Sequence, residues 1–402
     1  MYDLLETSLT LFLFLCIKSR YGLSLLSYSF LGSLYVPSFI DSATISFAQI
    51  PTPYAQAMTN TLLQLRPHWL NIMAVMLVSL HLSLLASGQT FPREANDAVS
   101  AEVENIYQRA LIYLAKTQSP DGTWSSNSAA GTGVRPGAVA FGILAFLAHG
   151  DDPNYGPYAG NIQKSLNYLI RKSQERPDGY MGPQMYDHGF ATLALAECYG
   201  MVDDRRIAPA LSKSVELILK AQKNNPRNGW RYNPDSKDAD STVSGCQLVA
   251  LLAARNAGIP VPDEAIDKGL GYMKTCHNSS GAYGYTSRAS SRVTLTAIGS
   301  LCYALAKKKN ESSYPKSTEY LVKNLKSQGE KWPFYHRYYM AQALFQADEP
   351  SWEKWNKDNT RLLSAAQLPD GSFAGTYGNA YSTAAACLSL ALNYRFLPIY
   401  EK

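Results

Sequence analysis

From residue 97 onward the hydrophobic positions follow two alternating patterns. The first appears in AEVENIYQRALIYLAKTQ, where Val103, Ile106, Tyr107, Ala110, Leu111 and Leu114 recur every three or four residues among polar ones. That spacing puts the apolar side chains on one face of a helix. The second pattern is apolar nearly all round and rich in small residues: GAVAFGILAFLAHG, GFATLALAECYG, SGCQLVALLAARNAG, VTLTAIGSLCYALA, YYMAQALFQA and YSTAAACLSLALNY. A helix without a polar face is enclosed by protein on every side. The two types alternate six times. Each pair is joined by a turn carrying an aromatic residue: QSPDGTW, QERPDGY, NNPRNGW, HNSSGAY, SQGEKW and QLPDGSF, with Trp124, Tyr180, Trp230, Tyr283, Trp332 and Phe373. The turns recur about every 40 to 57 residues, which suits one helical hairpin plus loop per repeat.

Amphipathic helices outside and apolar ones inside predict an all-α (α/α)6 toroid of six helical hairpins over residues 97–402. Its inner helices should begin near residues 137, 187, 240, 291, 335 and 380, and no sizeable sheet is expected. Gly142, Gly189, Gly245 and Gly299 leave room for close packing of the inner helices.

Residues 1–88 follow neither pattern and read as an N-terminal extension. Within it, RPHWLNIMAVMLVSLHLSLLASGQTF has a basic flank at Arg66, an apolar stretch from Leu70 to Leu85 and small residues at Ala86–Gly88. This is the layout of a signal peptide over about 66–88, or of a membrane anchor, followed by a linker over 89–96. It predicts an exported protein, periplasmic or in the cell envelope, with Met58 or Met73 as alternative starts and membrane-surface association open.

Composition adds limits. Charged residues make up 17% and hydrophobic ones 46% of the chain, including 27 tyrosines, which fits a large core. Before Pro92 the basic residues Lys18, Arg20 and Arg66 balance Asp3, Glu6 and Asp41, so the net charge of +5 belongs to the rest. No Lys/Arg run or stripe points to nucleic acid. The cysteines are scattered with no Cys-x-x-Cys pair, so they read as small core hydrophobes, and neither a metal nor another cofactor is expected.

The inner helices of a toroid start at one rim of its central cavity, so polar residues at those starts are the candidate chemistry. Asp187 and His188 form an adjacent acid–imidazole pair. Asp238 and Asp240 stand before the third inner helix, where Asp240 is either an N-cap or an acid aimed into the cavity. Tyr186, Arg292, Tyr335, His336, Tyr338, Tyr339 and Tyr381 are candidate ligand contacts. Their aromatic faces suit a cation or any flat apolar ligand.

The turns resemble a known signature. RALIYLAKTQSPDGTW, with Gln118 before Gly122-x-Trp124, is similar to the QW motif of squalene–hopene and oxidosqualene cyclases, in which Gln and Trp tie helix ends to turns. KGLGYMKTCHNSSGAY follows the template with His277 at the Gln position, and LLSAAQLPDGSF keeps Gln367 and Gly371. Residues 97–402 therefore resemble the terpenoid-cyclase and protein-prenyltransferase α/α-toroid superfamily, and more narrowly the exported bacterial proteins with prenyltransferase and squalene-oxidase repeats.

That resemblance implies a terpene-cyclase-like protein acting on or binding an apolar isoprenoid-type molecule. Asp238-Ala-Asp240-Ser241-Thr242 resembles the Asp-x-Asp-Asp-Thr-Ala motif whose middle aspartate protonates an alkene, with Ser241 in place of the last acid. FYHRYYMAQAL resembles the helix start that carries the zinc-binding histidine of protein prenyltransferases, which would be His336. The accompanying Asp-x-Cys is here Ser244-Gly-Cys246, without the acid. Because related toroids also serve as binding domains, a non-catalytic exported protein that holds a ligand or partner protein is the alternative. A polysaccharide lyase or hydrolase is a further one.

Overall fold

The computed structural model describes residues 99–128, 131–329 and 331–400. The signal-peptide stretch and the linker lie outside the described residues. Six helical hairpins follow one another. The outer helices are α1 (Ala101–Thr117), α3 (Ala159–Glu175), α5 (Ile207–Lys223), α7 (Asp263–Cys276), α9 (Ser313–Lys323) and α11 (Glu349–Ala366). The inner helices are α2 (Pro136–His149), α4 (Met185–Tyr199), α6 (Ser241–Asn256), α8 (Val293–Leu305), α10 (Pro333–Ala347) and α12 (Asn379–Leu390). All six inner helices begin within two residues of the expected positions.

The inner helices are buried on all sides, as their lack of a polar face requires. Each packs on the next in chain order, and α12 packs on α2, so the ring closes. Two short helical turns follow, Ala391–Asn393 and Pro398–Tyr400. The second packs against α6, and the Ile399 backbone N–H donates to Glu197 Oε2 at 3.3 Å. Ile399 and Tyr400 are buried there.

The turns clamp the hairpins together. Trp124 is buried and its indole N–H donates to the Leu114 carbonyl at 3.0 Å; Trp230 does the same to Ile218 at 2.9 Å. Gln118 Nε2 donates to the Asn161 carbonyl at 2.9 Å, at the start of the next outer helix. Gln222 reaches the Ala265 carbonyl in the same way, and Gln367 reaches Ile106, joining the last hairpin to the first. Gly122 has φ of 86°, and a Cβ there would lie 2.2 Å from the Lys164 backbone, so both its conformation and its packing exclude a side chain.

Three details differ from expectation. Gly142 and Gly299 seat the rings of Trp124 and Tyr283, whereas Gly189 and Gly245 face Gln247 and Ile298 of the neighbouring inner helix. Trp332 is 36% exposed and does not act as a clamp like Trp124. A two-stranded antiparallel ribbon, β1 (Ser125–Ser128) and β2 (Gly131–Val134), follows the first turn. Only Thr132 and Val134 favour a strand there, so no alternating pattern announces it.

Candidate functional site

The inner helices all start at the same end of the ring, and a cavity of about 960 Å³ lies among their first turns. That volume is in the range of small-molecule pockets. Its wall mixes aromatic and aliphatic groups, including Trp124, Phe190, Tyr335 and Tyr381, with a polar rim. Pro183, Arg292 and Lys331 on that rim are exposed, so the cavity opens to solvent.

Asp187 lies on this wall and is the sole carboxylate there among the described residues. It is the third residue of α4 and caps it: Oδ2 accepts from the Gln184 backbone N–H at 3.3 Å. Arg135, from the end of β2, grips both oxygens, Nε to Oδ1 at 3.0 Å and a terminal guanidinium nitrogen to Oδ2 at 2.7 Å. The Gly137 N–H adds a fourth bond at 3.2 Å. A carboxylate held this way is neutralised in place.

His188 is adjacent in sequence but is fully buried behind the wall and does not pair with Asp187. Its Nε2–H donates to the Ser214 carbonyl at 3.0 Å, and Nδ1 accepts from the Met181 N–H at 3.2 Å. Burial pulls its pKa down to about 4, so the ring is neutral. Other repeats hold a similar bond with a hydroxyl, which accepts from the N–H of the turn aromatic itself rather than of the residue after it. Ser244 accepts from the Trp230 N–H, Thr296 from Tyr283 and Thr383 from Phe373. His188 is thus the version of this turn latch used in its repeat.

The two aspartates before α6 part company. Asp238 points to solvent and binds Arg231 at 2.6 Å. Asp240 is the N-cap: Oδ1 accepts from the Thr242 N–H at 2.9 Å, the Val243 N–H at 2.8 Å and the Thr242 hydroxyl at 2.6 Å. Its Oδ2 is buried without a hydrogen bond. Arg231 Nε stands 3.3 Å away, near enough to attract but not aligned to donate. Burial lifts the Asp240 carboxyl above its usual range, against the Thr242, Val243 and Arg231 contacts that lower it. Asp240 has no exposed surface and is not on the cavity wall. Thr242 is, and its hydroxyl also bonds the Tyr186 hydroxyl, so a chain of hydroxyls runs from Asp240 to the cavity.

Across the ring, Arg292 stands at the N-cap position of α8 without capping it and lines the cavity, and its guanidinium has no hydrogen-bond or ion-pair partner among the described residues. His336 is placed behind the wall rather than on it. Its Nε2–H donates to the Ser327 carbonyl at 3.0 Å, so its bare Nδ1 accepts from the Thr294 hydroxyl at 2.9 Å. Burial holds its pKa at about 4. Both nitrogens are engaged by protein, and among the described residues no group of three or more His, Cys, Asp or Glu is placed around a metal. Tyr335 and Tyr381 line the cavity, whereas Tyr338 and Tyr339 are core residues packed edge-on to one another. The Tyr335 hydroxyl is buried without a partner.

Of the candidate residues, the structure brings Asp187, Tyr186, Arg292, Tyr335 and Tyr381 together around one space. It places Asp238, Asp240, His188, His336, Tyr338 and Tyr339 elsewhere. Sequence reasoning missed Arg135, Arg231, Tyr232, Tyr285 and Lys331. Arg231 directly follows the turn aromatic Trp230 and Arg135 follows β2 just before α2, in irregular segments where no periodicity marks which way a side chain points. Tyr232 and Tyr285 each stand two residues beyond a turn aromatic, a recurrence that was available as a signal.

The sequence matches the model of a family described as "Domain of unknown function (DUF6288)" over residues 103–395. The chain belongs to the DUF6288 family. No curated protein matches it. Solved structures extend the likeness of this DUF6288 chain to other α/α toroids. The type II terpene cyclase MstE from Scytonema has 15% identity and a TM-score of 0.53, covering 74% of this chain and 99% of that one. An inactive variant of the α-1,6-mannanase GH76A of Salegentibacter sp. HEL1_6, in complex with α-1,6-mannotriose, has 11% identity and a TM-score of 0.57, covering 73% and 99%. A family 76 glycoside hydrolase from a bovine Bacteroides thetaiotaomicron strain has 12% identity and a TM-score of 0.58, covering 73% and 78%. The DUF6288 chain shares their fold, as the resemblance to the toroid superfamily implied; at such identities the likeness carries the fold alone.

Proposed function

We propose that this toroid is a binding protein whose cavity holds an apolar, isoprenoid-type small molecule without transforming it. The observation that carries the reading is the state of the acids. Asp240 is sealed away from the cavity, and Asp187, which does reach it, is locked by Arg135 and two backbone N–H groups. A proton donor to an alkene must be a free acid in contact with substrate. Hydrolysis of a glycosidic bond ordinarily needs two carboxylates flanking it. What the wall offers instead is aromatic area, from Trp124, Phe190, Tyr335 and Tyr381.

One observation favours the cyclase-like reading as second choice. The Asp240–Thr242–Tyr186 chain connects a carboxyl of raised pKa to the cavity. The binding reading is tested by native mass spectrometry and lipid extraction of the protein purified from its own cells. A bound apolar molecule recovered unchanged is expected. Conversion of squalene or a shorter polyene by the pure protein would overturn it.

Export is part of the proposal, supported by the apolar stretch after Arg66 and the small residues before Gln89. Expression with the native N-terminus in a bacterial host should yield a mature chain starting near Gln89, read by N-terminal sequencing. Full-length chain retained in the cytosol would refute export.

A further inference from the structure

The charges on the cavity wall are unevenly placed. On the α2–α4 side Arg135 and Asp187 cancel each other. On the α8–α10 side Arg292 and Lys331 both face the space, and no acid on the wall opposes them among the described residues. Lys331 Nζ stands 5.5 Å from the Trp332 ring centroid and has no ion-pair partner among the described residues. The hydroxyl-bearing residues Ser290, Ser291 and Thr294 stand beside Arg292. The Thr294 hydroxyl donates to His336 Nδ1, so Thr294 has no proton left for an anion and the anion-binding donors are those of Arg292, Lys331 and the two serines. Trp124, Phe190 and Tyr381 lie on the remaining arc, toward α2, α4 and α12. The cavity thus has one cationic side, while aromatic rings line both that side, through Tyr285, Trp332 and Tyr335, and the arc away from it. All six inner helices also direct their N-termini at this end, which adds partial positive charge.

We propose that the ligand is an anionic amphiphile: a carboxylate or phosphate head held by Arg292 and Lys331, and an apolar body lying on the aromatic arc. The assignment rests on the binding reading above and names the ligand class for that cavity. Arg292 is the main anchor, because a guanidinium at a helix N-cap presents paired donors to an oxyanion. Lys331 adds a point charge. Bringing an unpaired cation to an anion in a partly enclosed site strengthens binding well beyond what the tail alone provides, and salt weakens that part of the affinity.

The test uses the full chain and three probes with one tail: farnesol, farnesoic acid and farnesyl phosphate, titrated calorimetrically at low and high salt. The acid, the phosphate or both should bind at least about tenfold more tightly than the alcohol. That margin should shrink with salt and largely vanish in Arg292→Gln, and in part in Lys331→Gln. Circular dichroism melts establish that both variants are folded, as exposed sites permit. The comparison of acid with phosphate tells the two head groups apart. If alcohol and anions bind alike, or the margin survives Arg292→Gln and Lys331→Gln together, the anionic head is refuted while the apolar cavity stands. If none of the three binds to folded protein, the binding reading falls and takes this inference with it.

Discussion

Asp240 shows how one side chain separates two functions. Its Oδ1 closes the first turn of α6, and its Oδ2 is held dry beside Arg231. Asparagine caps a helix about as well as aspartate. Under the binding reading Asp240→Asn should therefore keep ligand affinity within about twofold and most of the stability. Under the cyclase-like reading the same change should abolish turnover, since an amide supplies no acidic proton. His188 and His336 make a second residue-scale case. Each is buried neutral with its pKa lowered to about 4. The unfolded chain takes up these protons near pH 6.5, so it binds more protons than the folded one between about pH 6.5 and 4. Their stabilising effect is complete above that window and is lost as pH falls through it, by roughly 3 kcal/mol per histidine at most. Urea melts from pH 7.5 to 4.5 should show this loss, and His188→Asn should reduce it by about half, leaving the share of His336. A stability independent of pH across that range would contradict the burial described for both rings.

Elements were far more legible in the sequence than side-chain roles. An apolar helix of twelve to sixteen residues can only lie inside, so α2, α4, α6, α8, α10 and α12 are legible from their lack of a polar face, and the outer helices from their three-and-four spacing. The turn motif was legible too, because Gln118, Gly122 and Trp124 are bound to fixed places by backbone geometry. What could not be read was rotation about each inner-helix start. Asp187 and His188 are neighbours, yet a helix turns about 100° per residue, and one faces the cavity while the other faces Ser214. Nor did the pattern reveal that Trp332 departs from its repeat. The two tryptophans should therefore behave differently. Trp124→Ala removes a buried clamp and should cost about 3 to 5 kcal/mol, whereas Trp332→Ala, at the exposed rim, should cost under about 1 kcal/mol. Denaturant melts of both variants decide it, and equal losses would show that Trp332 is a clamp after all.

At the scale of the whole molecule, closure of the ring is what turns six similar hairpins into one cavity. A stack of helical pairs left open would present no common space, since each start would face its neighbour alone. Here the seam between the last and first hairpins is bonded as the internal joints are. Gln367 Nε2 donates to the Ile106 carbonyl at 2.9 Å and the Gly371 carbonyl at 3.0 Å. Arg109 reaches the Leu368 carbonyl at 2.8 Å, and the Tyr394 hydroxyl reaches Glu104 Oε2 at 2.8 Å. Repeats joined only to nearest neighbours unfold piecewise, with the terminal units fraying first. A closed ring has no terminal unit, so weakening the seam should weaken every hairpin together. Gln367→Ala leaves two carbonyls without their side-chain donor and should cost about 1 to 2 kcal/mol. Native-state hydrogen exchange on this variant should show amides of α1, α6 and α11 losing protection by the same factor, because all are released by one global opening. Faster exchange confined to α1 and α11 would mean that the seam is a contact between two loose ends, and that the cavity opens between them.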